Sequence, residues 1–181
     1  MDYKRVIITG GPGFGKTSIV DELESRNYEC IHEVSRKIIK EQLETRGDIL
    51  PWKNLKRFSE LLMELRIKQF DEVLHQGFTF FDRGIPDIIS YMQRSDLHIP
   101  VDYFSHVNKC TYYSTVFIVP PWKEIYKVDG ERKENFETAV DLHDYISETY
   151  QNFGYETVVL PKVSVKERAD FILQYLLESG H

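Results

Sequence analysis

Cysteine is scarce in this sequence, and the two cysteines that occur are far apart. Cys30 and Cys110 are the only ones among 181 residues, and neither belongs to a C-x2-C spacing of the kind that binds zinc. The spacing argues against a cysteine metal site. We expect two buried free thiols, because cysteine is among the most buried residue types, and free thiols fit a reducing compartment.

The sequence also lacks a long apolar run and an excess of positive charge. Its apolar stretches are much shorter than the roughly 20 residues that cross a bilayer. The first residues, MDYKRVIITGG, contain no signal-peptide hydrophobic region, so we expect a cytosolic protein without a membrane span. The net charge is −6, from 23 basic and 29 acidic residues. Nucleic-acid-binding proteins usually carry a basic excess, so we expect no nucleic-acid partner.

What the sequence does contain is an alternation of short apolar runs and longer segments with helical spacing. In the longest helical segment Leu55, Phe58 and Leu62 recur at three- and four-residue steps, which predicts a core-facing stripe closed by Gly77. The alternation predicts an α/β fold, with a parallel sheet and helices on both faces, in one domain over residues 1–178. The predicted strands cover 4–9, 28–33, 78–81, 114–120 and 155–161, and the predicted helices cover 16–27, 34–47, 52–75, 134–152 and the segments that begin at Pro86 and Ser164.

The first apolar run leads into a phosphate-binding loop, which matches G-x-x-x-x-G-K-[ST] at Gly10, Gly15, Lys16 and Thr17. Glycines let the loop curve so that backbone N–H groups point at one phosphate, and the following helix adds its positive end. Lys16 is the predicted catalytic charge on the outer phosphates, and the Thr17 hydroxyl is placed to bind Mg²⁺. The nucleotide-binding residues predicted from this loop are Gly11, Pro12, Gly13, Phe14, Gly15, Lys16, Thr17 and Ser18.

An acidic residue follows the third predicted strand. Asp82 comes directly after the buried run FTFF, and the carboxyl edge of an open α/β sheet is where ligands bind. Because a P-loop site needs an acidic group beside Mg²⁺, we assign Asp82 to the metal side of the site. Two other interpretations stay open: a base that accepts a proton from an acceptor hydroxyl, and an ordinary turn-capping aspartate. Arg83 is expected to face anionic phosphate on the substrate side, or to pair with Asp82.

The end of the second predicted strand carries Glu33, and Arg36 lies one helical turn later. Both are candidates for the acceptor side of the cleft. A carboxylate there can hydrogen-bond a sugar hydroxyl, and an arginine can hold an anion or orient that carboxylate. An ordinary surface pair at a helix start explains the same spacing equally well.

One long polar segment, residues 123–137, is charged and rich in helix-breaking residues, so we expect a mobile lid over the site. Arg132, with Lys133, is the catalytic candidate in this lid, because a cation delivered by a closing loop stabilises the charge of phosphoryl transfer. A solvated charged loop is the alternative, since acidic neighbours nearly balance the cations. Arg168, early in the final helix, is a weaker candidate that would lie near the nucleotide base, and a solvated surface charge is the alternative that the sequence favours there.

The motifs GGPGFGKTS, HEVSR, FFDRG-PD, DGERKENFE and VVLPKVSVKERADFIL extend over nearly the whole chain. Together they resemble the small P-loop ATPase and kinase family that includes the AAA-like kinase domains of nicotinamide-riboside kinases. This resemblance implies a three-layer P-loop NTPase of strand order 2-3-1-4-5. It also implies that ATP and Mg²⁺ bind at Lys16, Thr17 and Asp82, under a lid that carries Arg132. The chain is too short for the extra helical domain of the large ring-forming AAA ATPases.

Two guanine-nucleotide motifs are missing, which disfavours a regulatory GTPase. The segment DRGI has its glycine one position too early for D-x-x-G, and Thr111 stands where N-K-x-D needs aspartate. The expected function is ATP-dependent phosphate transfer to a small nucleoside-like or metabolite acceptor. One alternative is a nucleotide-dependent switch or scaffold, which would be an ATPase or GTPase with slow hydrolysis, and the other is a nucleotide binder without turnover. Neither the acceptor nor the oligomeric state follows from the motifs.

Overall fold

The computed structural model describes residues 3–126 and 135–179, and within these ranges five strands form one sheet. The strands are β1 (Tyr3–Thr9), β2 (Glu29–Ile31), β3 (Gly77–Asp82), β4 (Thr115–Ile118) and β5 (Glu156–Val159). Every neighbouring pair is parallel, and the order across the sheet is β2-β3-β1-β4-β5. The predicted α/β class and the order 2-3-1-4-5 are confirmed.

Seven α-helices occur in the described ranges: α1 (Lys16–Ser25), α2 (Val34–Glu44), α3 (Leu55–Glu72), α4 (Pro86–Arg94), α5 (Val101–Lys109), α6 (Phe136–Asn152) and α7 (Val165–Glu178). A 3-10 turn covers Lys123–Ile125. Two predicted helix starts are confirmed by their local chemistry. Pro86 occupies the first turn of α4, where its missing N–H costs nothing. Ser164 and Glu167 form a reciprocal capping box before α7.

The structure departs from the predicted elements at two places. Gly77 does not close a helix, because α3 ends at Glu72 and Gly77 is the first residue of β3, with φ +113°. Helix α5 had no counterpart among the predicted elements. It buries only Tyr103 and Val107 along its length, while Val101 is 78% exposed. Apolar residues of α5 thus occur at exposed as well as buried positions, so they do not form the single apolar face by which sequence reasoning finds a helix.

Alternate residues of the central strand face two separate layers of the core. Val6 and Ile8 pack with α1 and α7 on one face of the sheet. Ile7 packs on the other face with residues of α3, α4 and α6. Successive strand side chains point to opposite faces, so an uninterrupted apolar run supplies both layers at once. This is the predicted three-layer arrangement.

The carboxyl ends of the central strands bring the predicted site residues to one edge. In the parallel register Ile8 of β1 lies opposite Asp82 of β3, and Ile31 of β2 lies opposite Phe81. The phosphate loop begins at Gly10, directly after β1, so it lies beside the end of β3. This edge is where open α/β sheets bind ligands.

The two cysteines are free thiols, and their burial differs. Cys110 is buried as expected, whereas Cys30 is half-buried, so the prediction of two buried thiols is wrong for Cys30. Burial still raises the pKa of the Cys30 thiol to about 12, which keeps it protonated at neutral pH. Within the described ranges, no helix combines the length and the apolar character needed to span a membrane.

Candidate active site

The loop between β1 and α1 has the backbone geometry that its glycines permit. Gly10 has φ +131°, and a Cβ there would lie 2.5 Å from the carbonyl oxygen of Val119. Any larger residue would therefore have to displace the end of β4. Gly15 has φ +89° and stands as the cap of α1, which directs the N-terminus of that helix into the loop.

Lys16 is buried inside this loop, and loop carbonyls hold its ammonium group. The Nζ atom donates to Gly11 O at 2.7 Å and to Gly10 O at 3.1 Å. Burial, and next the positive charge of Arg83, lowers the pKa of Lys16 to about 7. A buried ammonium group of this kind is suited to bind a phosphate, whose negative charge would offset the cost of its desolvation.

Thr17 and Asp82 meet across the edge of the sheet. The Thr17 hydroxyl donates to Asp82 Oδ2 at 2.9 Å. Asp82 is 1% exposed, and its Oδ1 is buried without a hydrogen-bond partner in the described part of the chain. Burial, and next the Glu33 carboxylate, raises the pKa of Asp82. A hydroxyl beside an unsatisfied carboxylate oxygen is the hard oxygen donor set that Mg²⁺ prefers, so these residues fit the predicted ion.

Glu33 lies between two buried arginines. Its Oε1 accepts from Arg66 Nη2 at 2.6 Å, and its Oε2 pairs with Arg83 Nε at 2.6 Å. The same carboxylate caps α2 by accepting from the Ser35 N–H. Charge-assisted contacts from two elements fix its orientation. Arg83 thus pairs with Glu33 and not, within the described residues, with Asp82.

Asp87 is the second partner of Arg83, and it joins three parts of the fold. Arg83 Nη1 donates to Asp87 Oδ1 at 2.8 Å. The Thr9 hydroxyl, at the end of β1, donates to the same oxygen. The Tyr150 hydroxyl of α6 and the Gly84 N–H both donate to its Oδ2. Burial favours the neutral acid, but the arginines and hydroxyls outweigh it and hold the pKa of Asp87 below its usual range. This carboxylate therefore stays charged while it is 2% exposed.

A cavity of about 650 Å³ connects the phosphate loop with these charged groups. This is an ordinary size for a small-molecule site. Its far wall is apolar and comes from α2, α3 and α4, with Ile39, Leu55, Phe58, Leu62 and Ile88 lining it. The stripe on α3, predicted to be core alone, therefore serves both the core and the cavity wall.

Most of the predicted site residues meet in this cavity. Lining it are Pro12, Gly13, Gly15, Lys16, Thr17, Ser18, Glu33, Arg36, Asp82, Arg83 and Arg168. Gly11 and Phe14 do not line it; Phe14 is fully buried in the core, where its ring contacts Tyr126, Phe136 and His143. Arg132 and Lys133, with residues 127–134 of the predicted lid, lie outside the described residues.

Sequence reasoning missed Arg66 and Asp87, the two residues that hold Glu33 and Arg83 in place. Arg66 had a sequence signal, since it continues the four-residue spacing of Phe58 and Leu62 on the buried face of α3. A lone cation on such a face needs a buried partner. The sequence signal for Asp87 was weaker. Asp87 lies in the first turn of α4, and an acidic residue at that position is more often explained by its favourable interaction with the helix dipole.

A protein-family model described as an AAA domain matches residues 5–168, which is most of the chain. No curated protein sequence matches the chain.

Several solved structures share the fold at low sequence identity. A deoxyadenosine kinase from M. mycoides, with dCMP and dCDP bound, has a TM-score of 0.67 and 18% identity over 96% of this chain and 98% of that chain. The NadR protein in complex with NR has a TM-score of 0.69 and 17% identity over 99% of this chain, but only 51% of NadR is covered. Thymidylate kinase from Candida albicans has a TM-score of 0.60 and 16% identity over 97% and 91% of the two chains. At identities this low, the similarity shows a shared fold alone. That fold is the three-layer P-loop fold that the sequence predicted.

Proposed function

The chain belongs to the AAA-domain family, and from that premise we propose that it is an ATP- and Mg²⁺-dependent P-loop kinase. Its acceptor is a small hydroxyl-bearing molecule of nucleoside-like shape. One observation carries the proposal. The phosphate loop and a chamber of mixed charged and apolar character share a single cavity of about 650 Å³, so a nucleotide and an acceptor have room side by side.

The nucleotide end of the cavity is formed by the phosphate loop, which lines it with Pro12, Gly13, Gly15, Lys16, Thr17 and Ser18. Its backbone N–H groups and Lys16 hold the β- and γ-phosphates, and the nearby helix N-terminus favours their negative charge. The Thr17 hydroxyl and the Asp82 carboxylate hold Mg²⁺, which when bound neutralises charge on the phosphates. Arg168 completes the nucleotide site from α7.

The acceptor end is formed around Glu33, Arg36 and Arg83. Because Arg66 and Arg83 fix the Glu33 carboxylate, it is oriented to accept a hydrogen bond from the acceptor hydroxyl. The apolar wall from α3 packs against the rest of the acceptor, which favours a ring over a charged chain. Such a chamber suits the sugar and base of a nucleoside-like molecule.

The lid predicted from the sequence over residues 123–137, with Arg132 as the cation for the transferring phosphate, remains part of this proposal as an expectation, because residues 127–134 lie outside the described residues. Positioned donors at the transferring group are typically worth 100- to 1,000-fold, by order of magnitude, in turnover. Closure also excludes the water that competes with the acceptor hydroxyl.

The test is phosphorylation of a panel of nucleosides and other small alcohols with ATP and Mg²⁺, with the products identified by mass spectrometry. We expect at least one phosphorylated product from the wild type. Lys16→Ala should lower turnover by roughly 100-fold or more, because the outer phosphates lose their cation. Circular dichroism of this variant serves as the control that the fold is intact.

Two results would contradict the kinase proposal. If ATP binds and no panel member is phosphorylated, transfer to a small acceptor is wrong. If inorganic phosphate is released slowly and no acceptor product forms, the chain is a hydrolytic switch. In that case exchange of backbone hydrogens in residues 123–137 should differ between the triphosphate and diphosphate states.

A further inference from the structure

Arg168 is a buried cation without a counter-charge in the part of the chain that the structure describes. The residue is 3% exposed, and its Nε and Nη1 atoms are buried without hydrogen-bond partners. Burial alone lowers the pKa of its guanidinium, with no carboxylate acting in the opposite direction. Burying a charge is costly unless the charge is paired, so this arginine does not contribute to stability in the way an ion pair does.

The other buried arginines of the cavity behave differently. Arg66 and Arg83 share the Glu33 carboxylate, and Arg83 also pairs with Asp87. Arg168 stands moreover in the first turn of α7, the end of a helix where the macrodipole disfavours cations. Neither its neighbours nor its place in the helix accounts for a positive charge at this position.

The position of the Arg168 guanidinium relates it to the phosphate loop. A Cβ on Gly15 would lie 3.3 Å from Arg168 Nη1, so the guanidinium rests directly against the loop backbone. Its central carbon lies 5.6 Å from the ring centroid of Trp122, at cation–π distance, which holds the guanidinium in place. The side chain lines the same cavity as Lys16 and Ser18. Its unpaired donors therefore lie where the loop binds phosphate.

We propose that Arg168 binds the phosphate chain of the nucleotide, as an arginine supplied in cis by α7, and that it does not read the base. The proposal rests on the proposed function for the presence of a nucleotide. The inference goes beyond the proposed function because it names the group that Arg168 contacts. That group differs from the nucleotide base, near which the sequence placed Arg168 as a candidate. What this buried cation lacks is negative charge, and a nucleotide base is neutral. The planar fork of a guanidinium also matches phosphate oxygens.

This role predicts opposite changes in stability and in binding. Arg168→Leu removes an uncompensated charge while it keeps apolar contact with Trp122. Its melting temperature without ligand should therefore rise, by roughly 2–4 °C or more. Its affinity for ATP and for inorganic tripolyphosphate, measured with Mg²⁺ by calorimetry, should fall by roughly tenfold or more, because a hydrogen bond to a charged group is lost. Arg168→Lys keeps the charge, so it should show no gain in melting temperature and should retain part of the affinity for tripolyphosphate.

Arg26→Leu is the matched control, since Arg26 is a partly exposed arginine at the end of α1 that pairs with Asp170 of α7, the helix that carries Arg168. It should leave both affinities unchanged. If Arg168→Leu weakens ATP but not tripolyphosphate, Arg168 contacts the nucleoside part and the inference is wrong. If the variant melts lower or fails to fold, with unchanged or unmeasurable binding, Arg168 is structural and the inference is again wrong.

The experiment separates this inference from the kinase proposal. Tripolyphosphate binding that depends on Arg168, in a protein that phosphorylates no acceptor, supports the inference and contradicts the kinase. If the wild type phosphorylates an acceptor and Arg168→Leu binds tripolyphosphate as tightly as the wild type, the kinase proposal is supported and the inference about Arg168 is wrong. If the wild type binds neither ATP nor tripolyphosphate, both are wrong.

Discussion

At the scale of single residues, the Oδ1 atom of Asp82, which has no hydrogen-bond partner among the described residues, is the atom that we expect to bind Mg²⁺. The Thr17 hydroxyl already donates to the other oxygen, so a hard cation gains two adjacent oxygen ligands at this point. Asp82→Asn keeps the shape but removes the negative charge. We expect the Mg²⁺ concentration that half-saturates ATP binding to rise by roughly tenfold or more. Calorimetric titrations over a range of Mg²⁺ concentrations measure this change without requiring turnover.

Asp141→Asn is the control for this substitution, because Asp141 forms an ion pair with Arg94 outside the cavity. Its Mg²⁺ requirement should match that of the wild type. An unchanged requirement in Asp82→Asn would mean that Asp82 does not serve the metal, which leaves the two other interpretations of this residue at the end of β3: a base for the acceptor hydroxyl, or a turn-capping aspartate.

At the same scale, the sequence predicted the site residues that belong to one continuous motif. It did not predict the site residues whose position depends on partners from distant parts of the chain. Lys16 and Thr17 occur at fixed spacing after an apolar strand, so their meeting place follows from the local chain alone. Asp82 was predictable because parallel strands end at one edge. The role of Asp87 depends on Thr9 and Tyr150 approaching from different elements. No spacing in the sequence encodes that approach.

At the scale of elements, Asp87 connects β1, the turn after β3 and α6 through one buried carboxylate. Asp87→Asn removes the charge that balances Arg83 and leaves that guanidinium with one fewer partner. Breaking a buried ion pair typically costs about 3–5 kcal/mol, so we expect the free energy of unfolding to fall by about that amount. Urea denaturation followed by circular dichroism measures the loss.

Tyr150→Phe supplies the comparison for the Asp87 variant. It removes one hydrogen bond to the same carboxylate and leaves the ion pair with Arg83 intact. The expected loss is about 1 kcal/mol. Equal losses in the two variants would show that the charge of Asp87 contributes little, and that α6 is held by packing against the sheet.

Elements differ in how far sequence could predict them, and burial explains the difference. The strand β4 is buried throughout and β1 over its second half, so both appear as short, continuous apolar runs from which a buried strand can be predicted. Helix α3 was found because its buried positions recur regularly, although its ends were placed too far out. Helix α5 exposes Val101 and Phe104, so its apolar residues do not mark one face.

At the scale of the whole molecule, the cavity could not be predicted from the sequence. Leu55, Phe58 and Leu62 carry the pattern of a core-facing helix, and the pattern is the same whether the surface they face is filled by side chains or by a ligand. Only the distance of α3 from the phosphate loop decides between the two. That distance is set by packing across α2 and α4, which the local sequence does not report.

Whole-molecule stability should also depend on pH through His143 of α6. The imidazole is 8% exposed, and its Nδ1 is buried without a hydrogen-bond partner among the described residues. Burial, reinforced by the charge of Lys16 and opposed by Asp144, holds the pKa of His143 below its ordinary value of 6.5. The unfolded chain therefore binds a proton more readily than the folded one as the pH falls through 6.5. The stabilising contribution is complete above that pH and is lost below it.

We therefore expect the contribution of His143 to the free energy of unfolding to fall between pH 7 and pH 5, whereas Asp82, with its raised pKa, contributes in the opposite direction. Against the wild type, His143→Gln should reduce the dependence of the free energy of unfolding on pH by at most about 1.4 kcal/mol per pH unit, the value for one proton. The window ends at pH 7 because Lys16, with its pKa lowered to about 7, changes the slope above it. Urea denaturation at several pH values gives the slopes. His75→Gln, which alters an exposed histidine, should retain the wild-type slope. Equal slopes in the two variants would mean that His143 accepts its proton without disturbing the fold, and that the acid sensitivity arises from other groups.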